Sequence, residues 1–240
     1  MPLETDFLIL VGPIFFAFFF QATIGMGAGL ISISILSLFL SPQKVIPLIC
    51  IFQLLSGLVV IPVRHHIHRE TIAKGFILII GGAFLGSYLL PYVSDQFVRL
   101  ALGVYIFLEL LKQRFFKDAF DIIPKAALIP SGAIINGMFG MGGPLFAVYY
   151  QKLGLGPQQF RATSLAVLTV ANLTRLPNFY WSGLIDKHML YESILLLPVF
   201  ILSLIVGHKL SKRLEPKFFK GLIQLVLFCA SVSLLSKALL

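Results

Sequence analysis

The sequence predicts an all-α membrane protein that crosses the bilayer several times. Of its 240 residues, 58% are hydrophobic and only 12% are charged, and the mean hydropathy is +0.95. A soluble domain carries about 25% charged residues. Because a soluble protein needs polar side chains to cover its surface, this composition excludes that class. A further observation, a glycine-rich motif that occurs twice, predicts the internal duplication that is common among secondary transporters.

The charged residues indicate where the chain meets the membrane surface. Glu4 and Asp6 stand where a signal peptide needs basic residues, so we expect the first apolar segment to be retained. Most Lys and Arg residues of the net charge of +9 lie between apolar segments, which is typical of topology signals beside anionic lipids. We therefore expect a multi-pass protein of a prokaryotic inner or plasma membrane, with the lipid bilayer and no nucleic acid as its partner.

A membrane helix needs about 20 apolar residues, and most of the apolar segments have that length. Two segments, 7–40 and 126–155, are longer, and these two contain the glycine motifs. Each therefore holds either two short spans or a re-entrant hairpin of half-helices that meet at the glycines, and the short apolar stretch after each motif favours half-helices. The remaining segments lie at 45–62, 75–91, 96–111, 159–181, 189–207 and 219–239.

The glycine motifs are "QATIGMGAGL" at 21–30 and "NGMFGMGGPL" at 136–145. Glycine permits positive φ and close approach of backbones, and Pro144 suits the first turn of a new helix. In lipid, a broken backbone is tolerated only where it is buried in protein or lines a wet cavity. There, free amide groups and a helix N-terminus attract an anion. The motifs therefore predict two halves of one substrate site, and the alternative is close helix packing by small residues.

The two halves of the chain align at a constant offset. Gly25 and Gly27 match Gly140 and Gly142 at an offset of 115, which also pairs 41–45 with 156–160. Further along the chain the offset becomes 121 and pairs Gly86 with Gly207. The predicted division is a first transmembrane repeat at 1–112, a cytoplasmic linker at 113–125 and a second repeat at 126–240.

The distribution of Lys and Arg predicts that the two repeats are inverted. Loops 62–75, 112–125 and 208–220 are basic and are expected in the cytoplasm. The loop at 182–192 is the repeat-mate of 62–75, and the loop at 91–99 is the repeat-mate of 208–220. Each of these mates carries one basic residue, which predicts that it lies on the opposite side. Both termini are then expected outside, and a broken or re-entrant glycine-rich helix opens each repeat.

The segment 159–181 carries polar residues at helical spacing. Ser164, Asn172 and Arg175 share a face with Leu168, which aligns with Gln53 in the first repeat. Polar side chains in a membrane helix face the protein interior, so Arg175 is a candidate partner for an anion. The alternative is that Arg175 extends towards the outer membrane surface. Gln21 and Asn136 precede the two glycine motifs at matching positions and are candidate donors to a ligand.

The residues "GMGAGL" (25–30), "GMFGMGGPL" (137–145) and "GLGPQQFRATS" (154–164) together resemble the TauE/SafE family of sulfite exporters. The resemblance covers essentially the whole chain and implies transport of sulfite, sulfonates or related small oxyanions. It also implies that Gly140, Gly142, Gly143, Pro144, Thr163 and Ser164 belong to the second family motif. The first half departs from that pattern, because Ala28 replaces a glycine and "IPLICIF" (46–52) replaces an Ala-Thr-Ser stretch.

The sequence is thus interpreted as that of a transporter for a small anion and not of an enzyme. Alternatives are a passive anion channel, a carrier for a different small organic acid, and a membrane-embedded hydrolase, for which the chain offers no nucleophile motif. No cofactor or metal is expected, and a second copy of the chain, as a homodimer, is kept as a candidate partner. The predicted substrate-binding residues are Gln21, Gly25, Met26, Gly27, Gln53, Asn136, Gly140, Met141, Gly142, Gly143, Thr163, Ser164, Asn172 and Arg175.

Overall fold

A computed structural model describes residues 2–115, 124–210 and 216–239. The predicted linker at 113–125 and the predicted basic loop at 208–220 therefore lie partly outside the described residues, at 116–123 and 211–215. The described residues form helices joined by short turns and contain no strand, which agrees with the predicted all-α class.

Ten α-helices follow one another in the described residues, five in each half of the chain. The first half contains α1 (Pro2–Ile24), α2 (Ala28–Leu36), α3 (Pro42–Ser56), α4 (Arg69–Leu89) and α5 (Asp95–Phe115). The second half contains α6 (Lys125–Phe139), α7 (Gly143–Lys152), α8 (Pro157–Trp181), α9 (Lys187–Leu210) and α10 (Pro216–Leu239). Short 3₁₀ helices follow α3 at Gly57–His66 and α4 at Leu90–Tyr92.

Both over-long apolar segments are interrupted at their glycines. The first stops at Ile24 and resumes at Ala28, and the second stops at Phe139 and resumes at Gly143. The helices that resume, α2 and α7, have nine and ten residues. At 1.5 Å per residue they are about 14–15 Å long. That is half the ~30 Å of a bilayer core, so neither helix is a full span by itself.

The region predicted as the basic loop 62–75 is largely helical. The 3₁₀ helix runs through to His66, and α4 begins at Arg69, so only Ile67 and His68 separate them. The sequence pattern missed this because Arg64, Arg69 and Lys74 interrupt the hydropathy without breaking the backbone. Similarly, α5 extends to Phe115, three residues into the predicted linker.

Two helical stretches of the described chain are long and apolar enough to cross a membrane, Arg69–Tyr92 and Lys187–Lys209. They correspond to α4, with the short 3₁₀ helix that follows it, and to α9 without its last residue, and these helices occupy the same place in their respective halves. Both expose large apolar side chains, such as Ile77 and Leu85 on α4 and Ile194 and Leu202 on α9. Such faces are typical of contact with lipid. Shorter apolar stretches lie at Phe7–Thr23, Pro42–Ser56 and Leu227–Ala238.

The helices of the two halves pair with each other instead of forming separate bundles. Helix α1 packs on α9, and its counterpart α6 packs on α4. Helix α3 packs on its counterpart α8, and α5 on its counterpart α10. The largest hydrophobic cluster accordingly draws residues from both halves, including Phe18 and Phe52 with Phe200.

One close contact occurs twice, at positions that the sequence repeat makes equivalent. A Cβ added to Gly86 on α4 would lie 2.4 Å from the carbonyl oxygen of Ile134 on α6. A Cβ added to Gly207 on α9 would lie 2.6 Å from the carbonyl oxygen of Phe19 on α1. Because real Cβ atoms do not approach this closely, glycine is required at both positions for the helices to touch.

Candidate functional site

The backbone at the two breaks adopts conformations that favour glycine. Gly25 and Gly27 have φ of 95° and 107°, and Gly140 has φ of 71°. All three values lie in the left-handed region, which L side chains rarely adopt. Pro144 lies in the first turn of α7, as the sequence predicts. The glycines therefore end one helix and allow the next to begin within three residues.

The structure brings the two breaks into contact with each other. A Cβ added to Gly29 would lie 2.0 Å from the carbonyl oxygen of Gly140. A Cβ added to Gly143 would lie 3.9 Å from the side chain of Met26. Gly29 was not among the predicted site residues, although it lies inside the first motif. Its role is close packing, which is the alternative that the sequence left open for the glycines.

The N-termini of α2 and α7 meet at these breaks, and neither is capped by a side chain. Gly27 and Gly142 are the N-cap residues, and the first turn of each helix contains no acidic residue. The Ile31 amide donates to the Gly27 carbonyl at 3.0 Å, and the Phe146 amide to the Gly142 carbonyl at 3.2 Å. The amides that precede these two belong to the first turn, where a helix has no internal acceptors. Each N-terminus therefore attracts negative charge.

Arg175 of α8 lies against the second break and is completely buried, at 0% exposure. Its Nε donates to the Gly137 carbonyl at 3.0 Å, and its Nη1 to Asn172 Oδ1 at 2.8 Å. A longer bond of 3.4 Å joins Nη1 to Gln53 Oε1. A Cβ added to Gly140 would lie 3.3 Å from Nη2. Since the guanidinium does not reach the surface, the alternative of an arginine extending to the outer membrane surface is wrong.

The arginine retains unused capacity to bind. All three of its acceptors are neutral, and Nη2 is buried with no hydrogen-bond partner. The ring of Phe179, 5.2 Å from the guanidinium carbon, covers one face. The geometry therefore leaves an N–H edge of a positive group beside the glycine break.

Neutral polar side chains from three helices hold this arrangement. Gln53 of α3 donates to the Gly140 carbonyl at 3.2 Å, which ties the first half of the chain to the second break. Asn136 Oδ1 accepts from the Gly142 amide at 3.4 Å, while its Nδ2 is buried without a partner. The Cys50 thiol donates towards Asn172 Oδ1 at 3.6 Å. Cys50 was not predicted, because a cysteine in an apolar run gives no signal of a polar contact.

Other predicted residues lie elsewhere or are already engaged. Thr163 Oγ1 accepts from the His68 amide at 3.0 Å, so it anchors the start of α4 and not the break. The Gln21 amide nitrogen donates to Ser56 Oγ at 2.5 Å, and Ser56 donates to the Gln53 carbonyl. Gln21 thus supports Gln53. Met141 contributes its carbonyl, which accepts from the Tyr105 hydroxyl at 2.9 Å.

Sequence reasoning missed Arg161 as well, which packs against Gly25 at the first break. Its position in the series 161, 164, 168, 172 and 175 was a signal that it shares the face of Arg175. In the part of the chain that the structure describes, no group of three or more His, Cys, Asp or Glu side chains is placed to hold a metal ion. The polar groups at the breaks are amides, hydroxyls and guanidinium groups, which suit an anion.

Comparison with known proteins places the chain in a family. A family model described as "Sulfite exporter TauE/SafE" matches residues 9–234. A relative from Cupriavidus necator, described as "Probable sulfite/organosulfonate exporter TauE", is 24% identical over 213 residues, covering 82% of this chain and 81% of the relative. No solved structure matches. Since the family model spans both glycine breaks and all of α8, the chain belongs to the TauE/SafE family of sulfite exporters.

Proposed function

We propose that this protein transports a small sulfur oxyanion, sulfite or an organosulfonate, across the membrane through a site between the two glycine breaks and Arg175. The observation that carries the proposal is the buried Arg175 guanidinium, whose Nη2 has no partner beside Gly140. The family and the name of the relative from Cupriavidus necator support the class of substrate.

The electrostatics of Arg175 favour an anionic ligand. Even on lenient scales, an arginine at the centre of a membrane helix costs about 2.5–3.5 kcal/mol. A buried charge is normally paired with an opposite charge. Within the described residues, the hydrogen bonds of Arg175 go only to neutral oxygens. A bound anion supplies the missing negative charge and accepts the unused N–H bond.

The surrounding groups suit an oxyanion in particular. A guanidinium offers a planar pair of N–H donors, and such charge-assisted bonds are roughly twice as strong as neutral ones. The first-turn amides of α2 and α7 add donors from two directions, and Asn136 Nδ2 adds another. The space beside Gly27 is open, because an added Cβ there would meet nothing within 4 Å. A sulfonate or sulfite group presents three oxygens and matches donors that converge from several sides.

The architecture proposed for transport is a pair of inverted repeats, 1–112 and 126–240, joined by a linker and spanning an inner membrane several times. The repeated pairing of α1 with α9 and of α6 with α4 supports a two-fold relation between the halves. The Gly86 and Gly207 contacts support it at the level of single residues. In this arrangement the half-helices α2 and α7 bring their N-termini together near the midplane, as in transporters with discontinuous helices.

A passive channel is the second candidate, and the tightness of the break favours a carrier. An added Cβ at Gly29 would lie 2.0 Å from the Gly140 carbonyl oxygen, so the two breaks pack closely against each other. A carrier needs this contact to loosen when the site faces the other side of the membrane. An enzymatic function is not proposed, because the family is one of exporters and the site consists of anion-binding groups.

Flux into proteoliposomes tests the proposal. Purified protein is reconstituted, and uptake of radiolabelled sulfite and sulfoacetate is measured with and without an imposed proton gradient. We expect saturable uptake and acceleration by unlabelled anion on the opposite side, because a carrier returns faster when loaded. Uptake that is linear with concentration and lacks this acceleration would support a channel. No uptake of either anion above that of empty liposomes would contradict the proposed function.

A further inference from the structure

Four buried polar atoms without hydrogen-bond partners lie on one helix. They are Arg161 Nε, Ser164 Oγ, Asn172 Nδ2 and Arg175 Nη2, all on α8. Buried polar groups are nearly always hydrogen-bonded, so several unpaired groups on one element require an explanation. All four are able to donate a hydrogen bond. We call this set the donor stripe.

The donor stripe follows one face of α8. Its members are separated by three, eight and three residues, spacings that return to the same side of an α-helix. Between Arg161 and Arg175 the helix rises about 21 Å, at 1.5 Å per residue. The stripe therefore connects Arg175 at the second break with a position about two-thirds of a bilayer core away.

Arg161 lies at the first break, as Arg175 lies at the second. A Cβ added to Gly25 would lie 2.7 Å from Arg161 Cγ, and Arg161 Nη2 donates to the Ala22 carbonyl at 2.7 Å. Arg161 is only partly buried, in contrast to Arg175. Two residues further on, Thr163 accepts a hydrogen bond from the amide of His68, within the basic segment 62–75 that is expected in the cytoplasm. Arg161 thus lies at the end of the stripe that is nearer the predicted cytoplasmic face.

We propose that Arg161 is a second anion-binding residue, which takes a sulfite or sulfonate group at the cytoplasmic mouth of the donor stripe and passes it along α8 to Arg175. This inference rests on the proposed transport function. A partly buried arginine captures an anion from water at low desolvation cost, while the fully buried Arg175 binds it after water has been removed. Ser164 and Asn172 supply donors between the two arginines.

A purely structural role for Arg161 makes a different prediction. Its bond to the Ala22 carbonyl lies near the C-terminus of α1, where a cation stabilises a helix end. That role uses one N–H and is the same whichever side of the membrane the anion is on. Anion capture at one mouth, by contrast, affects transport from that side only. The two roles are therefore distinguished by whether a change at Arg161 affects uptake from one side of the membrane or from both.

The experiment measures uptake of radiolabelled sulfite by inside-out and right-side-out membrane vesicles that contain Arg161→Gln, Arg161→Lys, Arg175→Gln or Arg69→Gln. Arg69 is an exposed arginine at the start of α4 and serves as a control for loss of charge. We expect Arg161→Gln to raise the half-saturating sulfite concentration about tenfold in inside-out vesicles and less than about twofold in right-side-out vesicles. Arg161→Lys is expected to lie between Arg161→Gln and the unmodified protein.

Arg175→Gln is expected to raise the half-saturating concentration in both orientations, and Arg69→Gln in neither. An equal effect of Arg161→Gln on both orientations would overturn the two-station path and support the structural role. If Arg161→Gln is not recovered in the membrane, Arg161→Lys decides by the same comparison of orientations. Absence of saturable sulfite uptake by the unmodified protein would instead contradict the proposed function, and with it this inference.

Discussion

Arg175 shows how much one side chain contributes at the residue scale. It is one of the largest fully buried side chains among the described residues, and it links α8 to the Gly137 carbonyl on α6 and to Gln53 on α3. Its partners are neutral, so the net positive charge is not cancelled by the protein groups that contact it. An uncompensated charge is costly in a low-dielectric environment, which is the physical reason for the proposed anion binding.

We expect Arg175→Gln to raise the half-saturating sulfite concentration about tenfold or more, since a charge-assisted hydrogen bond contributes about 1.5–3 kcal/mol. Arg175→Lys should restore affinity only in part, because lysine keeps the charge but loses the planar pair of donors. Concentration-dependence curves at matched expression measure both variants. Unchanged affinity in Arg175→Gln would assign binding to the amides at the breaks and to Asn136.

The glycines at the breaks serve two different purposes. Gly27 has positive φ and open space around it, so its requirement is conformational. Gly142 has ordinary φ, and a Cβ there would lie 2.2 Å from the Gly132 carbonyl oxygen, so its requirement is steric. The backbone conformation therefore requires glycine at Gly27, and close packing requires it at Gly142.

Gly27→Leu and Gly142→Leu are each expected to abolish sulfite flux while the protein still inserts into the membrane. For smaller changes the two positions should differ. Gly142→Ala should lower the thermal unfolding midpoint in detergent more than Gly27→Ala, because backbone must move to admit the methyl group, whereas positive φ costs alanine about 1–2 kcal/mol. Flux assays measure the two leucine variants, and thermal unfolding measures the two alanine variants. Normal flux in both leucine variants would leave only the packing role.

At the scale of elements, α2 is a half-helix whose C-terminal end is held by cations from two other helices. Arg99 of α5 donates to the Ser37 carbonyl and, at 3.0 Å, to the Leu40 carbonyl. Lys237 of α10 donates to the Leu38 carbonyl at 2.5 Å. Cations at a helix C-terminus interact favourably with the macrodipole. These contacts anchor one end of α2 and leave its N-terminus free to face the break.

Arg99→Gln is expected to lower the free energy of unfolding by about 1.5–3 kcal/mol, the usual contribution of hydrogen bonds from a charged group. Lys237→Gln should have a smaller effect, because its bond is exposed to water. Thermal unfolding of both variants in detergent micelles gives the comparison. If Lys237→Gln destabilises the protein more than Arg99→Gln, Arg99 is not the main anchor of α2.

At the scale of the whole molecule, the two halves are interlocked through equivalent contacts. The pairs α1–α9 and α4–α6 each join one half to the other, and each contains a glycine at its closest approach. We expect that movement of one pair against the other exposes the proposed site to opposite sides, because each pair includes one helix from each half.

Gly86→Leu and Gly207→Leu are expected to destabilise the protein to a similar extent, because each forces apart the equivalent helix pair. Gly81→Leu is the matched control, since Gly81 is an exposed α4 glycine and an added Cβ there meets nothing within 4 Å. Thermal unfolding in detergent measures all three variants. A large effect at only one of the two equivalent positions would contradict the proposed symmetry.

The proposed inverted arrangement predicts which surfaces face the cytoplasm. In a Cys229→Ser background, cysteines introduced at Arg64 and His208 should react with an impermeant thiol reagent only after cells are opened. A cysteine at Ser182 should react in intact cells. All three positions are exposed, and the remaining Cys50 is buried. Labelling of position 208 from outside, without labelling of position 64, would contradict inversion.

Composition and repeat determined the class of this protein without any structure. High hydropathy required burial in lipid, and the two glycine motifs, each in a segment too long for one span, located the breaks. The face that Ser164, Asn172 and Arg175 share followed from the period of the helix alone. The all-α class could be predicted because it depends on local backbone geometry and on transfer of side chains from water, which neighbouring residues in the chain already specify.

Tertiary structure decided which glycines touch and what Arg175 binds. The sequence around Arg175 does not indicate that its guanidinium donates to the Gly137 carbonyl. Similarly, the first motif does not indicate that Gly29 meets Gly140. Likewise, Thr163 belongs to a motif of the predicted site, yet it bonds His68, more than 90 positions away in the chain. The physical reason is that these contacts arise from the packing of α8 against both halves. Packing between distant segments depends on the shape of the whole molecule and not on the spacing of residues within any one helix.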